Sequence, residues 1–335
     1  MSRSNVLVLA CVLFQFACGG TDSIEPANEG PNAATPNEGA TGNSDEPGTE
    51  QTNEIEACPV MDGSQDSQLY DHVIRAATSS DGVSFQANTT TLLEHASVPD
   101  GVIGPDGKTW VYFVNGNPGQ HAVFVAKRDE NGLTTFDCIR IDGKVNGNAV
   151  DPDIIRLDDG RYRIVYFQGW FVGSERPKAG EMHPIYSAIS TDGINFTEEG
   201  KLFEHENIYD PSVTQLADGS WLMSLNNGDR TLLTSSADGR SFQETGLEFD
   251  RGISELHAFD GGSTVRLYIT GIEGLVIYKS TDAGLTWEKE GTAQVGGADP
   301  SLVAEPDGTY TLYVKAFSQE GQSGQPGQPN NPPKN

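Results

Sequence analysis

"DPDIIRLDDGRYRIVYF" (Asp151–Phe167) and, shortly after it, "STDGINF" (Ser190–Phe196) decide how this chain folds. The first is a short apolar run, an Asp-Gly turn signal, and a second run of alternating character. That pattern reads as two antiparallel strands joined by a tight hairpin. The second has Ser and Asp to bond turn backbone, Gly to take a positive φ, and an aromatic to pack beneath the turn. Both recur along the chain, and internal repeats outrank any local reading.

Copies of the hairpin begin at "PDGVIGPDGKTWVYFV", "DPDIIRLDDGRYRIVYF", "DPSVTQLADGSWLMSL", "SELHAFDGGSTVRLYI" and "DPSLVAEPDGTYTLYV", spaced by about 45 to 60 residues. Copies of the turn are "SSDGVSF" (79–85), "STDGINF" (190–196), "SADGRSF" (236–242), "STDAGLTW" (280–287) and a worn "DENGLTTF" (129–136). These turns resemble Asp-boxes, which join the outer strands of β-propeller blades. The resemblance makes their aspartates fold markers and poor catalytic candidates. Five hairpins imply an all-β, five-bladed β-propeller of four-stranded blades. The first turn lacks an inner hairpin before it, and the last hairpin lacks a turn after it. The last blade is therefore closed by N-terminal outer strands and C-terminal inner strands.

The remaining segments look like appendages. Residues 1–17 have one arginine and an apolar run, Val6–Ala17, too short to span a bilayer as a mature helix; they read as a signal peptide. "FACGG" resembles a lipobox, with Cys18 as the lipidated residue and Gln15 where that motif prefers leucine. Cys11 offers a second site but leaves an apolar core of only five residues. Residues 18–57 form a Gly/Pro/Asn/Thr/Glu linker that carries nine acids, no Lys or Arg, and too little apolar surface to fold. The tail 318–335 reads likewise, leaving 58–317 for the propeller. An exported, lipid-anchored, monomeric protein of the bacterial cell envelope is expected, with membrane contact only through the anchor. The isolated pair Cys58 and Cys138 reads as a disulfide in that compartment rather than a metal site.

The folded part keeps 38 acids against 19 bases, which argues against nucleic acid and polyanionic substrates. Aligning the hairpins on their turns puts Val98, Asp151, Asp210, Ile253 and Asp299 in one column of the innermost strands. Asp100, Asp153, Ser212, Glu255 and Ser301 form the next. Strand period two aims both columns at the axis. Six carboxylates are thus expected at the channel mouth, with some pKa values raised by mutual repulsion. Glycoside hydrolysis needs such a set: one neutral acid and one ionised base. Asp-Pro recurs in three blades, which also suits a structural tie at each strand start; Glu255 interrupts that repeat.

Five blades, "DP" strand starts and a lone late glutamate resemble the family 43 glycoside hydrolases: arabinanases, arabinofuranosidases, β-xylosidases and their invertase-like cousins. The resemblance covers roughly residues 70–317. It implies an inverting enzyme for a neutral, arabinan- or xylan-like glycan, with Asp100 as base, Asp210 as pKa tuner and Glu255 as acid. Asp151 or Asp299 is the alternative base. Asp151, Asp153, Asp299, Trp170 (on the long connection 167–186) and His257 are the candidate substrate-binding residues. The family also implies a central Ca²⁺ or water near His257 and no other cofactor. Three departures stand against it. Blade one reads "VPDG" in place of Asp-Pro, Leu256-His257 follow the glutamate where the family has Gly-Pro, and the closure differs. A non-catalytic propeller binding glycan or protein is the competing expectation. A sialidase-like enzyme is a weaker one, since no arginine occupies either column, although Arg251 lies close.

Overall fold

The computed structural model describes residues 56–59, 69, 71–115, 122–145, 149–168, 180–228, 230–250 and 252–318. Residues 1–17, read as a signal peptide, lie outside these residues, as do Cys18, Trp170 and nearly all of the expected linker and tail. No helix among the described residues is long and apolar enough to cross a membrane.

Twenty strands form five antiparallel blades, and one short strand is added to the second. Blade I comprises Ala96–Ile103, Thr109–Asn115, Val123–Asp129 and Gly132–Cys138. Blade II is Ala149–Arg156, Tyr162–Gln168, Met182–Ser190 and Asn195–Glu206, with Arg140–Ile141 pairing parallel to its outer edge. Tyr209–Gln215, Trp221–Asn226, Thr231–Ser236 and Gln243–Phe249 make blade III. Blade IV contains Ile253–Phe259, Thr264–Gly271, Gly274–Ser280 and Glu288–Ala293. Blade V joins Ala298–Ala304 and Tyr310–Phe317 to His72–Ser79 and Gln86–Glu94, as the repeat count requires.

Local chemistry makes the turns. In the inner hairpins Asp106, Asp159, Asp218 and Asp307 each accept the backbone N–H two residues on, at 2.9–3.2 Å. The intervening glycines sit at φ +74° to +86°, which a side chain tolerates poorly. In the outer turns Ser79, Ser190, Ser236 and Ser280 take the glycine N–H at 2.9–3.0 Å. Some turns also lock onto the blade before them: Tyr268 Oη donates to Gly82 O and Tyr112 Oη to Gly193 O, both at 2.8 Å.

Side chains are buried at the seams between blades. Five apolar clusters form, one per seam, such as Val102, Tyr112, Ile154 and Ile164 between blades I and II. At the V–I seam Cys58 is bonded to Cys138 with Cα atoms 5.7 Å apart, and Arg140 Nε grips Glu56 O at 2.7 Å. The N-terminal strands that complete blade V are therefore strapped to blade I as well. The bridge closes a chain separation of 80 residues, worth about 4 kcal/mol of unfolded-state entropy. Replacing both cysteines with serine should lower the unfolding free energy by up to about that amount, read from urea melts. A loss matching reduction of the wild type, with native circular dichroism retained, is the expected result.

Candidate functional site

The innermost strands start with a break in the ladder that the period-two reading did not anticipate. In blades I, II, III and V the pairing slips between Ser97 and Asp100, Val150 and Asp153, Tyr209 and Ser212, and Ala298 and Ser301. The extra residue is Val98, Asp151, Asp210 or Asp299, at φ +47° to +51°, with proline next in each case. Aspartate is among the few residues that enter this left-handed region readily. Val98 therefore occupies the Asp-Pro position itself, as the alignment of the hairpins on their turns placed it. Blade IV has no bulge: Ile253–Phe259 pairs without a slip from Ile253–Thr270 to Phe259–Thr264. Ile253-Ser254 replaces Asp-Pro where the strand runs straight.

The bulge divides the six carboxylates into two layers. Asp100, Asp153 and Glu255 are 4, 5 and 6 % exposed, with one oxygen of each within 4.8 Å of the others. They are part of a ring of five cross-blade hydrogen bonds. Asp100 accepts the Ile154 N–H of blade II, and Asp153 accepts Val213 N–H of blade III at 3.0 Å. Ser212 Oγ accepts Leu256 N–H at 2.9 Å, and Glu255 Oε1 accepts Leu302 N–H at 3.3 Å. Ser301 Oγ closes the circuit on Gly101 N–H at 2.9 Å. The serines also donate, Ser212 to Glu255 at 2.8 Å and Ser301 to Asp100 at 2.6 Å. Gly101 is a close-approach position, since a Cβ there would lie 2.6 Å from Val303. Glu255 breaks the Asp-Pro repeat, yet it sits in this structural ring like its counterparts.

Burial raises all three acids. Asp100 is pushed up to about 7. Asp153 is raised well above its usual range by burial and then by Asp100, and Glu255 by burial and then by both aspartates.

The other layer opens toward solvent. Asp151 and Asp210 are half-buried, while Asp299 is buried and ion-paired with Lys315 of the adjoining strand. Asn226 Nδ2 reaches Asp210 at 3.3 Å. Burial, then the Asp299 charge, raises Asp151 to about 6, with Lys315 pulling the other way. Asp210 is raised well above the ordinary range by burial, then by Asp151 and Asp299. His72, held neutral by burial and Lys315 at about 4, hydrogen-bonds Ser97 Oγ at 2.8 Å. Lys315, His72 and Asn226 escaped the sequence reading, because they come from second and third strands. A lysine inside the apolar alternation "YTLYVKAF" was the available signal.

The structure thus separates the residues that the sequence grouped. Asp100, Glu255 and Asp153 lie together in the ring; Asp210, Asp151 and Asp299 lie together above it. His257 belongs to neither. It packs edge-on against Phe259 with centroids 5.0 Å apart and is lowered to about 4 by burial, then by Arg266. The ring fits a Ca²⁺ poorly: such an ion takes six to eight oxygens, whereas the ring offers three carboxylates, each already accepting a backbone N–H.

No family model matches the sequence, and no curated protein matches it. Solved structures similar in fold include a GH43_1 enzyme from Xanthomonas citri complexed with xylotriose, at 14% identity and TM-score 0.47, covering 65% of this chain and 81% of that one. Another is the GH43 protein BlXynB from Bacillus licheniformis, at 12% identity and TM-score 0.46 over 66% of this chain, which spans about half (49%) of that protein. The endo-arabinase from Bacteroides thetaiotaomicron is similar at 13% identity and TM-score 0.41, covering 58% and 76%.

The ring's acids hold protons in the folded state that they release when unfolded, near pH 4. Their contribution to stability is full below that pH and is lost as pH rises through about 7. His72 and His257 act oppositely between about 4 and 6.5 but are outnumbered. The melting temperature should be higher at pH 5 than at pH 8. Asp153→Asn should flatten that slope, whereas Asp153→Ala, which orphans Val213 N–H, should cost about 1–3 kcal/mol. Calorimetry across pH 4.5–8.5 checks both.

Proposed function

We propose that the protein is a glycoside hydrolase working at the open end of its channel by inverting acid–base chemistry. In this reading Asp210 is the acid, the ion-paired Asp299 is the base, and Asp151 beside Asp210 keeps the proton there. Asp100 and Glu255 hold the ring together. The observation that carries the reading is the solvent-reaching layer itself. There Asp210 is raised well above the ordinary carboxylate range while Asp151, next to it, is near 6. Asp210 supplies the proton donor and Asp299, paired with Lys315, the anion, the two roles that glycosidic cleavage requires. A neutral, arabinan- or xylan-like glycan suits the charge, because an anionic sugar would be repelled by the acidic layer and by the chain's net −27. Lipidation at Cys18 would tether the enzyme to the bacterial envelope.

One observation favours the alternative of a carbohydrate-binding propeller without turnover. The pair that the family resemblance nominates, Asp100 and Glu255, has oxygens within 4.8 Å, nearer than the roughly 6.5–9.5 Å an inverting pair keeps for its water. Both are also committed to backbone N–H groups.

Aryl arabinofuranosides and xylosides, arabinan and xylan are the substrates to screen. Turnover is expected, and Asp210→Asn should lower kcat by about 10²–10⁴-fold with an unchanged melting temperature. Saturable glycan binding by the wild type with no turnover on the panel would select the binding reading instead.

A further inference from the structure

Among the three carboxylates of the upper layer the shared cation is Lys315, and it touches one of them. Its amine meets Asp299, and both groups are largely buried, at 17 % and 3 % side-chain exposure. Burial by itself would strip the charge from this lysine. The Asp299 contact, with Asp210 and Asp151 beyond it, wins and raises the amine instead. An ammonium buried this way is a fixed charge, aimed by the second strand of blade V at the top of the channel.

The surroundings leave it few other partners. From the third strand of blade V comes His72, neutral and turned to Ser97 of blade I. Blade I contributes Val98 and blade IV Ile253, neither of which ionises. Blade II supplies Asp151, and blade III supplies Asp210 with Asn226 bonded to it. Among the described residues the layer therefore holds three acids and one cation. Two acids, Asp151 and Asp210, remain beside each other without a direct counter-ion among the described residues.

We propose that Lys315 is the positioning residue of this site: by ion-pairing Asp299 it presents Asp151 and Asp210 as an adjacent pair that holds one proton between them. The site's catalytic status rests on the reading above; the proton arrangement does not. Asp299 becomes the fixed anion, Asp210 the proton carrier and Asp151 the group whose ionisation Lys315 tunes.

Carboxyl carbon NMR on the full-length protein, labelled at aspartate Cγ, tests this without substrate. The Asp151 signal, assigned by its loss in Asp151→Asn, is expected to titrate near pH 6. Lys315→Met should move that midpoint up by about one unit or more, as loss of a nearby cation does, and Lys315→Arg should restore it. Asp299→Asn should move it down, because an anion is removed. This second variant also reads the coupling if Lys315→Met does not fold. An Asp151 midpoint unmoved by Lys315→Met, or not lowered by Asp299→Asn, overturns the proposal. Because no glycan is present, a protein that turns over no sugar can still give the expected shifts. Unmoved midpoints beside a hydrolase inactivated by Asp210→Asn would sink the lysine's role alone.

Discussion

Each innermost strand of the propeller is an edge, and the N–H that follows its second-column residue has no partner within its own blade. Buried amides left unpaired cost about 1–3 kcal/mol each, and here five of them face the axis. One side chain from the preceding blade answers each one: Asp100, Asp153, Ser212, Glu255 and Ser301 in turn. The circuit needs an acceptor at every station and no cation, so it tolerates carboxyl or hydroxyl. Burial then raises the three acids, which reduces the repulsion that three adjacent carboxylates would otherwise carry. Seam packing and hairpin chemistry build blades, and this ring sets their distance from the axis.

The upper layer rests on that ring. Because the ring is satisfied, acids above it are free for other work. Four left-handed bulges hold column one out of the regular ladder, and three of them bear aspartate. Bulges are common next to active sites, where they re-aim a side chain. Their effect here is an open layer with one fixed ion pair and one adjacent acid pair, over a sealed layer that performs closure.

The fold was legible because its signals are local and repeated. Asp-Gly turns, Ser/Asp outer turns and the mismatched ends in blade V needed no tertiary information. The site was only half legible. Aligning the turns grouped the residues of each layer, but period two could not show that Asp151, Asp210 and Asp299 are extra residues in a bulge. Proline after each bulged residue, and its absence after Ile253, was the trace left in the sequence. Glu255 stood out because it broke a repeat, and the unbulged pairing of Ile253–Phe259 gives that break a backbone cause. Lys315 and His72 were invisible to a comparison confined to innermost strands.

Native-state hydrogen exchange on the ring amides tests the central claim most directly. The amides of Gly101, Ile154, Val213, Leu256 and Leu302 should exchange only through global unfolding, with one common free energy. They should be protected more strongly than the amides of the outer strands Gln243–Phe249 and Glu288–Ala293. Exchange of these five at separate, lower free energies, through local opening of single blades, would contradict a closed ring.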